Sequence, residues 1–235
     1  MSNPYLSVVI PAYNESFRIV KPITEVCQYF AQQEYTSEII IVDDGSSDDT
    51  AEVITKHFPH VKLISYKENQ GKGFAVKTGM ASAKGELILM CDADNATPIV
   101  EVERLLPIAI NFPVVIGSRY LPGSNIMVKQ PITRVIGSRL FNLLVQLLLL
   151  PGFPDTQCGF KLFSQGAANN LFSKLETKRW GFDLEVLVRA KKAKLKIKQV
   201  PVDWYDQPGS RIQSVRVFFN SIVELLKIKR DSLRW

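Results

Sequence analysis

The sequence predicts an α/β protein in which a mostly parallel, mixed β-sheet is covered by helices on both faces. Two observations predict it. Short, uninterrupted β-branched runs alternate with longer stretches of helical periodicity through the first half of the chain, and strands apolar on both sides belong to sheets covered on both faces. The 235 residues are 46% hydrophobic with 13 Gly and 13 Pro, enough apolar mass for a full core and too little bias for a disordered or collagen-like chain.

The elements follow in order. Residues 6–10 read as a strand and 17–33 as a helix; 38–42 form the next strand and 48–57 a helix that Ser47 or Asp48 can cap. Residues 61–65 are a third strand followed by a helix over 71–83. Residues 87–90 are a fourth, followed by a helix over 98–110, and 113–116 are a fifth. The apolar stretch 140–150 is interrupted by Asn142 and Gln146 and stopped by Pro151-Gly152. As a helix it spans about 16 Å, roughly half a bilayer's hydrocarbon core, so it is read as a core helix or an interfacial segment. Ile212, Val215, Phe219, Ile222 and Leu226 recur at three- and four-residue steps, one stripe of a C-terminal helix. Lys227, Lys229, Arg230, Arg234 and Trp235 cluster at its end. Such a stripe packs on its own domain or lies on an anionic membrane.

Charge is uneven. Residues 174–235 hold 15 Lys+Arg and 7 Asp+Glu, whereas the preceding 173 hold 14 and 16. The basic segment is read as a solvated surface or a contact for an anionic membrane; no zinc finger, RNA-recognition motif or basic zipper supports nucleic acid. Three scattered cysteines, Cys27, Cys91 and Cys158, and two histidines, His57 and His60, form no zinc framework. They suit a reducing compartment. The N-terminus enters a strand without a signal-like segment, so the expected location is cytoplasmic, peripheral on the inner face of a membrane.

In parallel sheets ligands collect beyond the carboxyl ends of the strands. Three polar segments stand there: Pro11-Ala-Tyr13-Asn-Glu15, Asp43-Asp44-Gly45-Ser46-Ser47-Asp48, and Asp92-Ala93-Asp94. Each alone is compatible with ordinary turn chemistry. Four carboxylates gathered on one edge repel one another unless a cation lies among them, and hard oxygen ligands suit Mg²⁺ or Mn²⁺ bridging to a diphosphate. No G-x-G-x-x-G follows a strand, and Gly71-Lys72-Gly73 lacks the spacing of a Walker loop.

The runs Val9-Ile-Pro-Ala-Tyr-Asn-Glu15, Val42-Asp-Asp-Gly-Ser-Ser-Asp48 and Asp92-Ala-Asp94 together resemble the inverting family 2 glycosyltransferases. That resemblance implies the GT-A nucleotide-diphospho-sugar transferase fold, a Rossmann-like arrangement. Asn69-Gln-Gly-Lys-Gly73, Gly117-Ser-Arg119, the run from Asp155 to Phe163 and Arg179-Trp-Gly-Phe-Asp-Leu-Glu185 narrow the likeness to dolichyl-phosphate β-glucosyltransferases and other polyprenyl-phosphate glycosyltransferases. Mannose synthases, which use GDP-mannose, are close relatives.

The resemblance implies roles. Pro11, Tyr13 and Glu15 would lie against the nucleotide, and Asp44, with Asp43 beside it, would read the uracil edge. Asp92 and Asp94 would hold Mg²⁺ or Mn²⁺ on the donor diphosphate. Lys72 and Arg211 would add positive charge near the phosphates, and Arg119, Arg134 and Ser138 would receive the acceptor phosphate. Arg134 and Ser138 are four apart, one face of a helix. A phosphate monoester is mostly doubly ionised at neutral pH, so it needs orientation rather than a general base. A carboxylate near the anomeric carbon would then order an arginine or steady positive charge; Asp155 is the first candidate, Asp183 the second and Glu185 the third.

The sequence departs from the family in three places. It has no membrane-spanning segment, Asn95, Ala96 and Thr97 follow the acid pair where some relatives carry a glutamine ligand, and Glu176 stands where processive synthases carry the Gln of Gln-x-x-Arg-Trp. The expectation is a single-transfer enzyme: one domain over 1–211 (a nucleotide-sugar half, 1–117, and an acceptor half, 118–211) and a basic amphipathic helix over 212–235. It would move glucose from UDP-glucose to a polyprenyl phosphate with a divalent metal, at the membrane surface and without nucleic acid. The alternatives are another donor or a saccharide acceptor, and a non-catalytic donor-binding subunit of a membrane complex.

Overall fold

The computed structural model describes residues 3–127, 132–205 and 215–235, with the side chains of 132–134 and 215–219 outside that description. Strands β1 (Leu6–Ala12), β2 (Ser37–Asp43), β3 (Lys62–Ser65), β4 (Leu87–Cys91) and β5 (Val114–Ser118) fall where the alternating pattern predicts them. Helices α1 (Val20–Ala31), α2 (Thr50–His57), α3 (Lys72–Ser82) and α4 (Val102–Ala109) lie between them. The second half adds α5 (Ile132–Leu148), β6 (Phe160–Ser164), α6 (Gln165–Ser173), α7 (Phe182–Lys192), β7 (Ile197–Pro201) and α8 (Val215–Asp231).

The seven strands run in the order β3-β2-β1-β4-β6-β5-β7. β6 is antiparallel to both of its neighbours, β4 and β5; the other pairings are parallel. β1, β2, β4 and β5 therefore all end on one edge.

Alternation along each strand divides the core in two. Val9, Ile40, Val42, Met90 and Ile116 face the layer that includes α3, α6 and α7. Val8, Ile10, Ile41, Leu89 and Val115 face the layer of α1, α2 and α4. Helices start later than the periodicity suggests. Residues 15–19 form a turn in which the Arg18 and Ile19 N–H groups bond the Glu15 carbonyl, and Ile99–Glu101 is a 3₁₀ turn before α4.

In the 140–150 stretch, Phe141, Val145 and Leu150 are core residues. Ile136, Leu140, Leu143 and Leu147, at steps of four, three and four, are exposed and mark one stripe of α5. On α8, Leu225 and Ile228 are buried and Val223 and Leu226 exposed. The Lys229 Nζ bonds the Leu148 carbonyl at 2.7 Å, holding the two helices together. The predicted C-terminal stripe is thus divided: Ile222 packs against the core, Leu226 faces out, and Ile212 and the side chains of Val215 and Phe219 lie outside the described residues. Among the described residues, no helix is long and apolar enough to cross a membrane.

Candidate active site

The shared edge of β1, β2, β4 and β5 gathers the polar segments. Pro11 is buried inside β1, Tyr13 is at the rim, and Glu15 pairs with Arg18 one turn on. The β1 and β2 loops are stitched together: the Asn14 N–H donates to Ser46 Oγ at 2.8 Å and the Ser47 N–H to Asn14 Oδ1 at 2.7 Å. Of the two capping candidates, Asp48 reaches α2, accepting the Thr50 N–H at 3.1 Å, while Ser47 faces Asn14.

Asp44 corrects one expectation. Its buried carboxylate accepts the Tyr66 hydroxyl at 2.6 Å, Asn69 Nδ2 at 2.8 Å and the N–H groups of Gln70 and Gly71, each at 2.9 Å. Both oxygens are committed to shaping the 69–71 turn, so the carboxylate is not open to a base edge. Asp43, also buried, is hydrogen-bonded by the Ser46 hydroxyl. Gly71 ends that turn at φ +104°, and a Cβ there would overlap the Lys178 carbonyl, so only glycine fits.

Asp92 and Asp94 follow β4. Asp92 Oδ1 accepts Lys72 Nζ at 2.6 Å. Gly159 faces the same carboxylate, and a Cβ there would fill the space at Asp92 Oδ2. Asp94 accepts the Ala96 N–H at 3.1 Å. Burial first, then the Asp92 charge, raise its pKa, with Lys72 and Arg18 pulling the other way. Two hard carboxylates in a partly buried, mutually repelling pair suit a divalent cation, which Asp92 and Asp94 would hold. Among the described residues no third acid, His or Cys joins them.

On the other side of β6, Asp155 is buried with both oxygens on Arg119: Oδ2 accepts Nε and the backbone N–H at 2.8 Å, and Oδ1 accepts Nη2 at 2.9 Å. Burial would raise the Asp155 pKa, but the Arg119 charge and hydrogen bonds outweigh it and hold the carboxyl below its ordinary value. The Arg119 guanidinium lies 5.4 Å from the centroids of both Tyr120 and Trp204. The Tyr120 hydroxyl meets Ser138 Oγ at 3.3 Å, so Tyr120 touches both Arg119 and Ser138. The side chain of Arg134, and all of Arg211, lie outside the described residues.

Asp183 and Glu185 are paired inward. Asp183 Oδ1 accepts Lys161 Nζ at 2.6 Å, and Lys161, itself 1% exposed, also donates to the Cys158 carbonyl. Burial raises the Asp183 pKa against the pull of Lys161 and Lys72. Glu185 corrects its candidacy: its oxygens accept the N–H groups of Glu176 and Thr177 and Arg189 Nε at 2.7–2.9 Å. It anchors a loop and is closed to substrate. Asp155 likewise has both oxygens committed, to Arg119.

Several partners escaped the sequence reading as site residues. Lys161 is an inward-facing lysine in an apolar strand, and that charge was the available signal. Arg18 stands three after Glu15, a helical ion-pair spacing. Trp180, 38% exposed, places its ring centroid 5.2 Å from Lys72 Nζ; nothing in sequence spacing joins those two.

Residues 7–172 match the family model described as glycosyl transferase family 2. The chain is 35% identical to the dolichyl-phosphate beta-glucosyltransferase of Dictyostelium discoideum, over 97% of this chain and 78% of that one. It is 37% identical to the enzyme of the same name from Homo sapiens, over 88% and 69%. In structure it superposes on glucosyl-3-phosphoglycerate synthase from Mycobacterium tuberculosis, solved with Mn²⁺, UDP and glucosyl-3-phosphoglycerate. The TM-score is 0.72 at 20% identity, covering 97% of this chain and 80% of that one. Mannosyl-3-phosphoglycerate synthase from Rubrobacter xylanophilus gives a TM-score of 0.72 at 22% identity, covering 98% and 74%. At those identities the structural likeness carries the fold, which is GT-A.

Proposed function

The chain belongs to glycosyl transferase family 2, and from that premise we propose that it transfers glucose from UDP-glucose to dolichyl phosphate or a related polyprenyl phosphate, with inversion at the anomeric carbon. One observation carries the reading. The seven residues Asp155–Lys161 put an acid on Arg119, a glycine against Asp92 and a lysine on Asp183. The acid pair suited to a donor diphosphate and the arginine suited to an acceptor phosphate therefore flank one short segment. The relatives named for this activity, 35–37% identical, supply the sugar and the lipid.

In this reading Asp92 and Asp94 would hold Mg²⁺ or Mn²⁺, which would supply Lewis-acid neutralisation of the diphosphate leaving group. Tyr13, Glu15 and Asp43 border the nucleotide. Arg119, pre-set by Asp155, takes the acceptor phosphate with Ser138 beside it, and a guanidinium fork suits two phosphate oxygens. A phosphate oxygen forms the new bond to the anomeric carbon as the bond to the diphosphate breaks and UDP departs. No residue need remove a proton from a nucleophile already ionised, consistent with the closed carboxylates of Asp155 and Glu185.

The exposed α5 stripe Ile136, Leu140, Leu143 and Leu147, together with exposed Val223 and Leu226 on α8, supports peripheral contact with a membrane. Basic Arg139, Lys227 and Arg230 are exposed on the same two helices, which suits an anionic surface. Ser138 belongs to α5, so a lipid phosphate held there is next to that stripe.

The test incubates the purified chain with Mn²⁺, a short polyprenyl phosphate and either labelled UDP-glucose or labelled GDP-mannose. Label extracted into organic solvent from UDP-glucose alone is the expected result. Label from GDP-mannose alone reassigns the donor.

A further inference from the structure

We propose that the Lys72 ammonium is a tethered counter-ion of Asp92, holding that carboxylate until a divalent cation and a diphosphate arrive together and displace it. The inference rests on the reading of Asp92 and Asp94 as metal ligands. It concerns what occupies Asp92 beforehand.

The geometry is that of a seated cation. Lys72 is the first residue of α3, its backbone fixed by the Gly71 turn. Its Nζ is 2.6 Å from Asp92 Oδ1, and its side chain is only 19% exposed. The rings of Trp180 and Phe182 stand 5.2 and 5.9 Å from the ammonium, a slot that favours positive charge. A metal ion bound through Asp92 therefore meets a like charge already on that carboxylate. Asp183, a second acid within electrostatic reach of Lys72, offers the displaced ammonium somewhere to turn.

Charge balance says when exchange is favourable. Asp92 and Asp94 bring two negative charges and Lys72 one positive charge, leaving the cluster with one net negative charge. A divalent ion alone turns the cluster net positive with Lys72 beside it, and a diphosphate alone adds two negative charges to an acidic site. Bound together they add nothing, and the released ammonium gains phosphate oxygens as partners. Lys72 thus opposes metal alone and favours the metal–diphosphate pair.

The test measures Mn²⁺ binding by the electron paramagnetic resonance of free Mn²⁺, with and without UDP, for wild type, Lys72→Met and Lys72→Arg. Methionine keeps the stem in its aromatic slot, and circular dichroism confirms that each variant is folded. Lys72→Met is expected to bind Mn²⁺ alone about tenfold tighter than wild type. UDP should tighten Mn²⁺ binding strongly in wild type and weakly in the variant, and Lys72→Arg should behave as wild type. Equal Mn²⁺ affinity of wild type and Lys72→Met without UDP, with UDP-dependent binding intact, overturns the exchange and spares the metal site. Should Lys72→Met fail to fold, a wild type whose Mn²⁺ affinity is unchanged by UDP overturns it equally. No Mn²⁺ bound by any form, even with UDP, removes the metal reading and the exchange with it.

Discussion

Glu224 of α8 accepts the backbone N–H of Gly181 at 2.7 Å. That one bond ties the last helix to the loop whose Trp180 borders Lys72. The loop is held at its other end by Glu185, through the N–H groups of Glu176 and Thr177, so two carboxylates from different helices fix its backbone. A helix that faces outward through Val223 and Leu226 is thereby connected to the loop beside Lys72 and Asp92.

Glu224→Ala leaves the buried Gly181 N–H without its acceptor, a loss of about 1–3 kcal/mol of stability. Urea unfolding reads the loss, and hydrogen exchange should show reduced protection at Gly181. Glu224→Gln keeps an acceptor and should recover most of both.

Asp155→Asn removes the charge that compensates buried Arg119, at a cost of about 3–5 kcal/mol. The pH dependence has a definite sign. The folded-state pKa of Asp155 is depressed, so its stabilisation is fully present above the unfolded carboxylate value of about 3.9 and is lost as pH falls through the lower folded value. The stability gap between wild type and variant, from denaturant titrations at a series of pH values, should stay level above about pH 5 and narrow in acid. Arg119→Lys keeps the charge and forfeits the fork, so it should raise KM for the acceptor more than KM for the donor.

The first half of the fold was legible because apolar strands and amphipathic helices alternate there without interruption. β6 and β7 were not placed. Lys161 is the second residue of Phe160–Ser164, and β7 is a half-exposed edge strand carrying Lys198 and Gln199, so neither shows a clean apolar run. In the site, strand-end acids were visible as a pattern. Which cation meets which acid was not, because Lys72 and Asp92, Arg119 and Asp155, and Lys161 and Asp183 are 20 or more residues apart and meet only in the folded chain. The same distance effect misread Asp44: its partners Tyr66, Asn69 and Gly71 arrive from the far side of α2 and β3.

Replacing Leu140, Leu143 and Leu147 by Ser alters exposed positions of α5, where substitutions change stability by about 0.5 kcal/mol or less each. Co-sedimentation with anionic liposomes should fall about tenfold or more. Transfer to a short, water-soluble polyprenyl phosphate should be kept, since no proposed donor or acceptor ligand is touched.

The most direct measurement compares two acceptors that differ only in the phosphate. The purified chain, labelled UDP-glucose and Mn²⁺ are incubated with a polyprenyl phosphate or with the matching polyprenol. Label in the lipid phase from the phosphate alone, lost when Arg119 is replaced by Ala, is the predicted result. Equal labelling of the alcohol, or transfer to the phosphate that persists without Arg119, would contradict it.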